Sequence, residues 1–145
     1  MPLWRIYSNS KIFTDEQKAG ISEAITKLYS FLPAFYVNVI FIPLGDKDVF
    51  IGGKPTTNFV RITVEQIART MAPSDTEEGK TRRRGWLMMI NETLKPYIID
   101  RGLDWELHIG ETPRDLWTVS GIAPPPTDSE AELKWKAENK ATVWE

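Results

Sequence analysis

The sequence contains no cysteine, which removes disulfides, thiol nucleophiles and thiolate metal sites from consideration. His108 is the single histidine, too little imidazole for a zinc centre, and no carboxylate group has the spacing of a calcium loop. The reading includes no metal and no cofactor. No apolar run reaches about 18 residues and no basic segment with an apolar core opens the chain, so a cytoplasmic protein is expected. Nor is there a basic excess. Against 20 Asp and Glu stand 18 Lys and Arg, for a formal net charge of −2, which argues against a general binder of nucleic acid or of anionic membranes. The one basic run, Arg82-Arg83-Arg84, lies beside Glu77, Glu78 and Lys80 and reads as a solvated helix face.

What the chain does have is a start of Met1-Pro2, followed at once by the strand-like run Leu3-Trp4-Arg5-Ile6-Tyr7. Removal of one methionine leaves a secondary amine at the chain terminus. An ordinary α-amino group titrates near ~8, so desolvation or a neighbouring cation can leave it neutral and basic at physiological pH. Such an amine can serve as a general base, or attack a carbonyl to form an iminium. Both options vanish if Met1 stays, and many chains begin Met-Pro only because proline tolerates a chain end.

Thr14-Asp15-Glu16-Gln17 matches a capping box, so a helix starts there, with Ile21, Ile25, Leu28 and Leu32 along one face as far as Pro33. Phe35 to Ile42 is β-branched and aromatic and reads as a largely buried strand ended by Pro43. Val49-Phe50-Ile51 before Gly52-Gly53 predicts a short edge hairpin. The pattern then repeats, with a strand over Phe59 to Val64, a helix from about Glu77 to Asp100 and a strand over Leu103 to Ile109. In that helix Trp86, Leu87, Ile90, Leu94 and Ile98 mark the buried side, Pro96 is expected to kink the last turns and Gly102 to stop them. The last strand alternates Leu103, Trp105, Leu107 and Ile109 with Asp104, Glu106 and His108, so His108 points away from the helices.

Residues 1–145 therefore read as a single α+β domain built of two tandem β-α-β units, 2–53 and 58–110, joined into a four-stranded sheet with both helices on one face. Strand residues on the other face look too apolar for solvent and predict self-association, as a symmetric trimer. Over 111–145 the chain changes character, with Pro124-Pro125-Pro126, a short helix capped by Ser129 with Glu132, and a polar end bearing Trp135 and Trp144. This tail is expected to pack on a neighbouring subunit.

Several stretches carry a resemblance in their shared order: Pro2-Leu3-Trp4, Phe35-Tyr36-Val37-Asn38-Val39, Gly52-Gly53-Lys54-Pro55, Asn58-Phe59-Val60-Arg61, Ile67-Ala68-Arg69, Gly102-Leu103-Asp104-Trp105-Glu106, Glu111 to Trp117 and Gly121 to Pro126. Together, over nearly the whole chain, they resemble the tautomerase superfamily, and within it the fungal group similar to cis-3-chloroacrylic acid dehalogenase. The resemblance implies a tautomerase or isomerase of small carbonyl (keto/enol) acids, with Pro2 as the catalytic proline and dehalogenase or hydratase activity weak at best. It places Tyr29 where the dehalogenase has a helix histidine, and His108 near the position of a last-strand tyrosine. Of the family's two carboxylate-clamping arginines only Arg69 is matched, since Thr70, Met71 and Ala72 follow it, and the water-activating glutamate falls near Val119.

On residue chemistry, Arg69 near the Pro2 amine would lower its pKa and hold an organic anion, and Tyr29 and His108 would polarise a carbonyl. Each also has an ordinary reading: a solvated helix end for Arg69, a core-edge aromatic for Tyr29, a surface histidine paired with Asp104 or Glu106 for His108. Asn38, inside an apolar strand, needs hydrogen-bond partners from a structural network or a ligand. Asn38 and Tyr36 are secondary pocket candidates, and Trp117 either anchors the tail or walls the pocket. Two alternatives stay open: an isomerase or cyclase of a larger metabolite that uses no free amine, and a non-catalytic binding protein.

Overall fold

In the computed structural model, which describes residues 1–145, Thr14 caps helix α1 (Asp15–Leu28) as its sequence predicts. Its hydroxyl accepts from the Gln17 N–H at 3.2 Å and the Gln17 side chain accepts from the Thr14 N–H at 3.0 Å, so two otherwise unpaired donors are satisfied. Helix α2 (Glu77–Leu94) opens in the same way, with the Thr76 hydroxyl accepting from Gly79 N. It ends sooner than expected. Pro96 has no N–H and its ring crowds the preceding turn, so the helix stops at Leu94 instead of kinking onward, and Ile99–Arg101 forms a separate 3-10 turn closed by Gly102 at φ 68°.

Strands β1 (Pro2–Asn9), β2 (Asn38–Leu44), β5 (Phe59–Gln66) and β6 (Asp104–Glu111) form one sheet in the order β2-β1-β5-β6. Within each β-α-β unit the strands run parallel, and the units join through the antiparallel pair β1 and β5. The expected hairpin is β3 (Phe50–Ile51) with β4 (Lys54–Pro55). Two readings around β2 are corrected. Phe35 and Tyr36 belong to a 3-10 turn, Ala34–Tyr36, and β2 begins only at Asn38, whose amide donates to the Phe35 and Tyr36 carbonyls at 3.4 and 3.3 Å. Pro43 does not end β2, because this half-buried strand lies at the sheet edge, where a proline is tolerated.

Strand alternation sorts the side chains into layers. Trp4, Ile6, Val60, Ile62 and Val64 pack beneath the helices against Ile21, Ile25, Ile90, Leu94 and Ile98 in one buried cluster. Leu87, expected in this layer, is 41% exposed. The opposite face is more polar than its sequence suggested: Arg5 pairs with Glu65 at 2.6 Å, and Arg61 contacts both Glu106 and, at 2.6 Å, His108 Nδ1. No helix is long and apolar enough to cross a membrane.

The tail folds back on its own chain. Helix α3 (Glu130–Glu138) buries Trp135 completely against Phe35 and Tyr36, and the Trp135 indole donates to the Thr142 carbonyl at 2.9 Å. Truncating a buried tryptophan costs about 3–5 kcal/mol, so this one side chain can hold the tail in place. Asn139, at φ 48° past the helix end, accepts from Phe35 N at 2.9 Å.

Candidate functional site

Topology brings three chain segments to one end of the sheet. β5 and β6 run parallel, so the turns that follow Gln66 and Glu111 emerge together, and β1, antiparallel to β5, begins there with Pro2 opposite Gln66. The first turn supplies Arg69 and the second, redirected by Pro113, supplies Arg114. Both guanidiniums donate to the Ala68 carbonyl, at 2.9 and 2.6 Å, and both reach one carboxylate, Glu132 of α3. Arg69 grips it with both terminal nitrogens at 3.1 and 2.8 Å, Arg114 adds a bond at 3.2 Å and the Asp128 N–H another at 2.7 Å. Glu132 is 3% exposed. Burial alone would raise its pKa, but the bonds from Arg69, the Asp128 amide and Arg114 outweigh it and hold the carboxyl below its usual range.

The chain terminus lies against this cluster. Met1 is half-buried on the core, and its amine falls from 8.0 to about 4, first through desolvation and then through the charges of Arg114 and Arg69, with Glu132 opposing. Tyr36 closes the other side, 1% exposed and edge-on to Trp117 at 4.7 Å, while Arg114 sits 5.5 Å over the Trp117 ring. Burial, then Glu132, pushes the Tyr36 hydroxyl up to about 12, partly offset by Arg114 and Arg69. The hydroxyl has no hydrogen-bond partner even though the Arg114 guanidinium is near. A buried donor without an acceptor is costly, and a ligand atom can supply the missing bond.

A cavity of about 280 Å³ opens beside the cluster, walled by Arg69, Thr70, Glu111, Thr112, Arg114 and Thr127. A second of about 180 Å³, lined by Gln66, Trp86 and Arg83 among others, meets Arg69 from its other side. Gln66 Oε1 and Trp86 Nε1 are buried there without partners. Tyr29 packs edge-on to Trp86 at 5.2 Å and accepts from the Trp4 indole at 3.2 Å, which leaves it 1% exposed. Chemically, the ensemble can hold a carboxylate on two guanidiniums, offer a neutral amine and donate from a protonated phenol.

Of the residues singled out in the sequence, Pro2, Arg69, Tyr36 and Trp117 come together here. Tyr29 lies deeper, under Trp86, and Asn38 closes the turn before β2. His108 sits on the opposite sheet face, in register with Thr63. Sequence reading missed Arg114 and Glu132. Arg114 is the only arginine after Arg101 and follows Pro113 directly, a signal that placed a cation at the β6 exit. Glu132 was legible as the capping-box residue after Ser129, but its carboxylate turns to the arginines and to Asp128 N instead of to Ser129 N.

Comparison with known proteins places these features. The family described as "Putative oxalocrotonate tautomerase enzyme" matches residues 1–140. The native RhCC structure from Rhodococcus jostii RHA1 is 41% identical and superposes with a TM-score of 0.90 over 98% of this chain and 99% of that one. A protein from the thermophilic fungus Aspergillus fumigatus, described as a "probable enzyme", is 40% identical with a TM-score of 0.89 over 99% of this chain and 98% of that one. A member of the cis-3-chloroacrylic acid dehalogenase family shares the fold at 19% identity, TM-score 0.67, over 94% of this chain and 96% of that one. No curated protein matches the chain.

Proposed function

Because this chain belongs to the oxalocrotonate tautomerase family, we propose that it is a tautomerase of small carbonyl acids in which Pro2, freed of Met1, is the general base. The observation that carries the reading is that β1 starts with Pro2 opposite Gln66, at the sheet end where Arg69 and Arg114 converge on the Ala68 carbonyl; the neighbouring Met1 amine is lowered by desolvation and then by the charges of Arg114 and Arg69. After removal of Met1 the Pro2 nitrogen becomes the terminus, one residue along β1 and opposite Gln66, beside the loop that carries Arg69, and in this reading the two guanidiniums lower its pKa as they lower that of the Met1 amine. Arg69 and Arg114 bind the substrate carboxylate. The neutral nitrogen takes a proton from the carbon α to the substrate carbonyl, the C–H pair becomes the new C=C bond while the C=O π pair moves onto oxygen, and the Tyr36 hydroxyl donates to the enolate that forms. A hydroxyl pushed up to about 12 stays protonated for this task. The prolinium then returns its proton to the other end of the enolate system. Tyr29 supports the site indirectly by bracing Trp4 and Trp86.

Assembly is part of the proposal: a homotrimer formed through the open sheet face, with His108 and the Arg61 pairs at the interface, working in the cytoplasm. Dehalogenation or hydration stays a side reaction, because Val119 offers no carboxylate to activate water.

Keto–enol interconversion of phenylpyruvate and of 2-hydroxymuconate, compared between the wild type and Pro2→Ala, tests the reading, alongside the intact mass of the natively produced protein. Loss of activity in Pro2→Ala, in protein one methionine lighter than its gene predicts, is the expected result. Equal rates overturn it.

One observation favours a second reading. Met1 packs on the core, and a chain that keeps it presents an acylated proline with no basic nitrogen. An isomerase or cyclase of a larger metabolite, working through Tyr36 and the arginines, fits that state, and Pro2→Ala is then harmless.

A further inference from the structure

The geometry points to Glu132 as the residue that sets the charge preference of the site, favouring acids with a single carboxylate over those with two. The inference rests on the reading of Arg69 and Arg114 as the carboxylate-binding pair.

Three charged side chains face one another in the buried cluster: two guanidiniums and the Glu132 carboxylate, at contacts of 2.8 to 3.2 Å. The fourth charge, Asp128, is 3.0 Å from Arg69, but its side chain is 77% exposed, so water screens it. Glu111, which also walls the larger cavity, pairs with Arg83 at 3.3 Å, so the balance at the partly buried arginine pair is one positive charge. One incoming carboxylate neutralises it. A second would enter a partly buried site with no cation left to pair, which is unfavourable relative to water.

Hydrogen-bond supply gives the same answer. A guanidinium has five N–H donors. Those on the Arg69 terminal nitrogens go to Ala68 O, Asp128 and both Glu132 oxygens, leaving only its Nε–H. Arg114 gives one Nη1 hydrogen to Ala68 O and its Nη2 hydrogens to Pro125 O and Glu132, leaving Nε–H and one Nη1 hydrogen. What remains suits one carboxylate and cannot satisfy two.

Glu132 touches no substrate in this scheme. It acts through the arginines, by cancelling charge and by occupying donors. Loss of its shape alone would weaken all anions together, whereas loss of its charge changes the ratio between singly and doubly charged ligands.

The test is calorimetric binding of crotonate and fumarate, one and two carboxylates on similar skeletons, to the wild type and to Glu132→Gln, with kcat/KM measured in parallel on phenylpyruvate and 2-hydroxymuconate. The wild type is expected to prefer the singly charged member of each pair, and Glu132→Gln to move both ratios toward the doubly charged member on the order of tenfold. Unchanged ratios in a folded Glu132→Gln overturn the inference. Should Glu132→Gln fail to fold, the wild-type measurement decides alone, since tighter binding of fumarate than of crotonate overturns it too. Binding without turnover defeats the tautomerase reading and leaves this one standing; no binding of either acid defeats this one.

Discussion

The Trp4 indole donates to the Tyr29 hydroxyl across 3.2 Å, with both side chains buried and their rings 6.4 Å apart, edge to face. Strand β1 and the end of α1 are pinned together by this bond, at a point two residues from the proposed base. Tyr29→Phe leaves the indole N–H unpaired in the core, at a cost of about 1–3 kcal/mol. Denaturant unfolding is expected to show that loss while kcat changes little. A collapse of kcat at unchanged stability makes Tyr29 a catalytic donor after all. Tyr36→Phe is expected to do the reverse, lowering kcat with the fold intact.

Arg114→Gln removes a charge that both binds the carboxylate and depresses the amine. A hydrogen bond to a charged group contributes about 1.5–3 kcal/mol, so kcat/KM on carboxylate substrates is expected to fall roughly ten- to a hundredfold. The acid limb of the pH–rate profile moves to higher pH at the same time, because less positive charge opposes protonation. A fall in rate with an unmoved limb places Arg114 outside the reach of the base.

The pH dependence has a definite sign. A depressed amine pKa means the free base persists well below 8, so the rate is expected to reach its plateau by neutral pH. In protein that keeps Met1, the amine is neutral in the fold down to about 4 but takes a proton near 8.0 once unfolded. The unfolded state then binds more protons across that window, and this group's contribution lowers stability as pH falls from 8 toward 4. Unfolding of the Met1 form and its N-acetylated counterpart measures it: the gap between the two curves should change with pH in that window.

Gly79 lies where α2 turns away from the Arg69 loop, and a Cβ there would come 1.9 Å from the Pro73 carbonyl oxygen. Gly79→Ala must therefore shift that loop. Overpacking of this kind costs about 1–3 kcal/mol, and kcat/KM is expected to fall with it, since Arg69 rides on the displaced segment. A crystal structure of Gly79→Ala with Arg69 unmoved contradicts this.

On the open face Arg61 meets Glu106 and His108. Arg61→Glu sets like charges against each other across β5 and β6. Sedimentation is expected to show a trimer for the wild type and smaller species for Arg61→Glu; identical profiles argue against assembly through this face.

Local chemistry made much of this fold legible. The Thr14 box, the Gly52-Gly53 turn and the alternation along β1, β5 and β6 each depend on residues a few positions apart, and the repeated β-α-β pattern follows from them. Pro96 and Pro43 depart from the sequence expectation for one reason. A proline's effect depends on whether the missing N–H was needed, and an edge strand and a helix interior answer differently. Pro2 stood out in the sequence by its place after Met1, and Arg69 by the resemblance to the family's clamping arginines. Arg114 and Glu132 did not, because their importance lies in meeting Arg69 across separations of 46 and 63 residues.

The head of this chain is enclosed by its tail, since Met1 rests where Arg114 and Glu132 converge. Whatever aminopeptidase trims that methionine needs it loose, so excision must precede the moment when residues 114–138 fold into place. On a ribosome that interval exists by default, while the last segment is still being synthesised. Protein refolded with Met1 attached and no aminopeptidase present is the material in which Pro2 stays acylated.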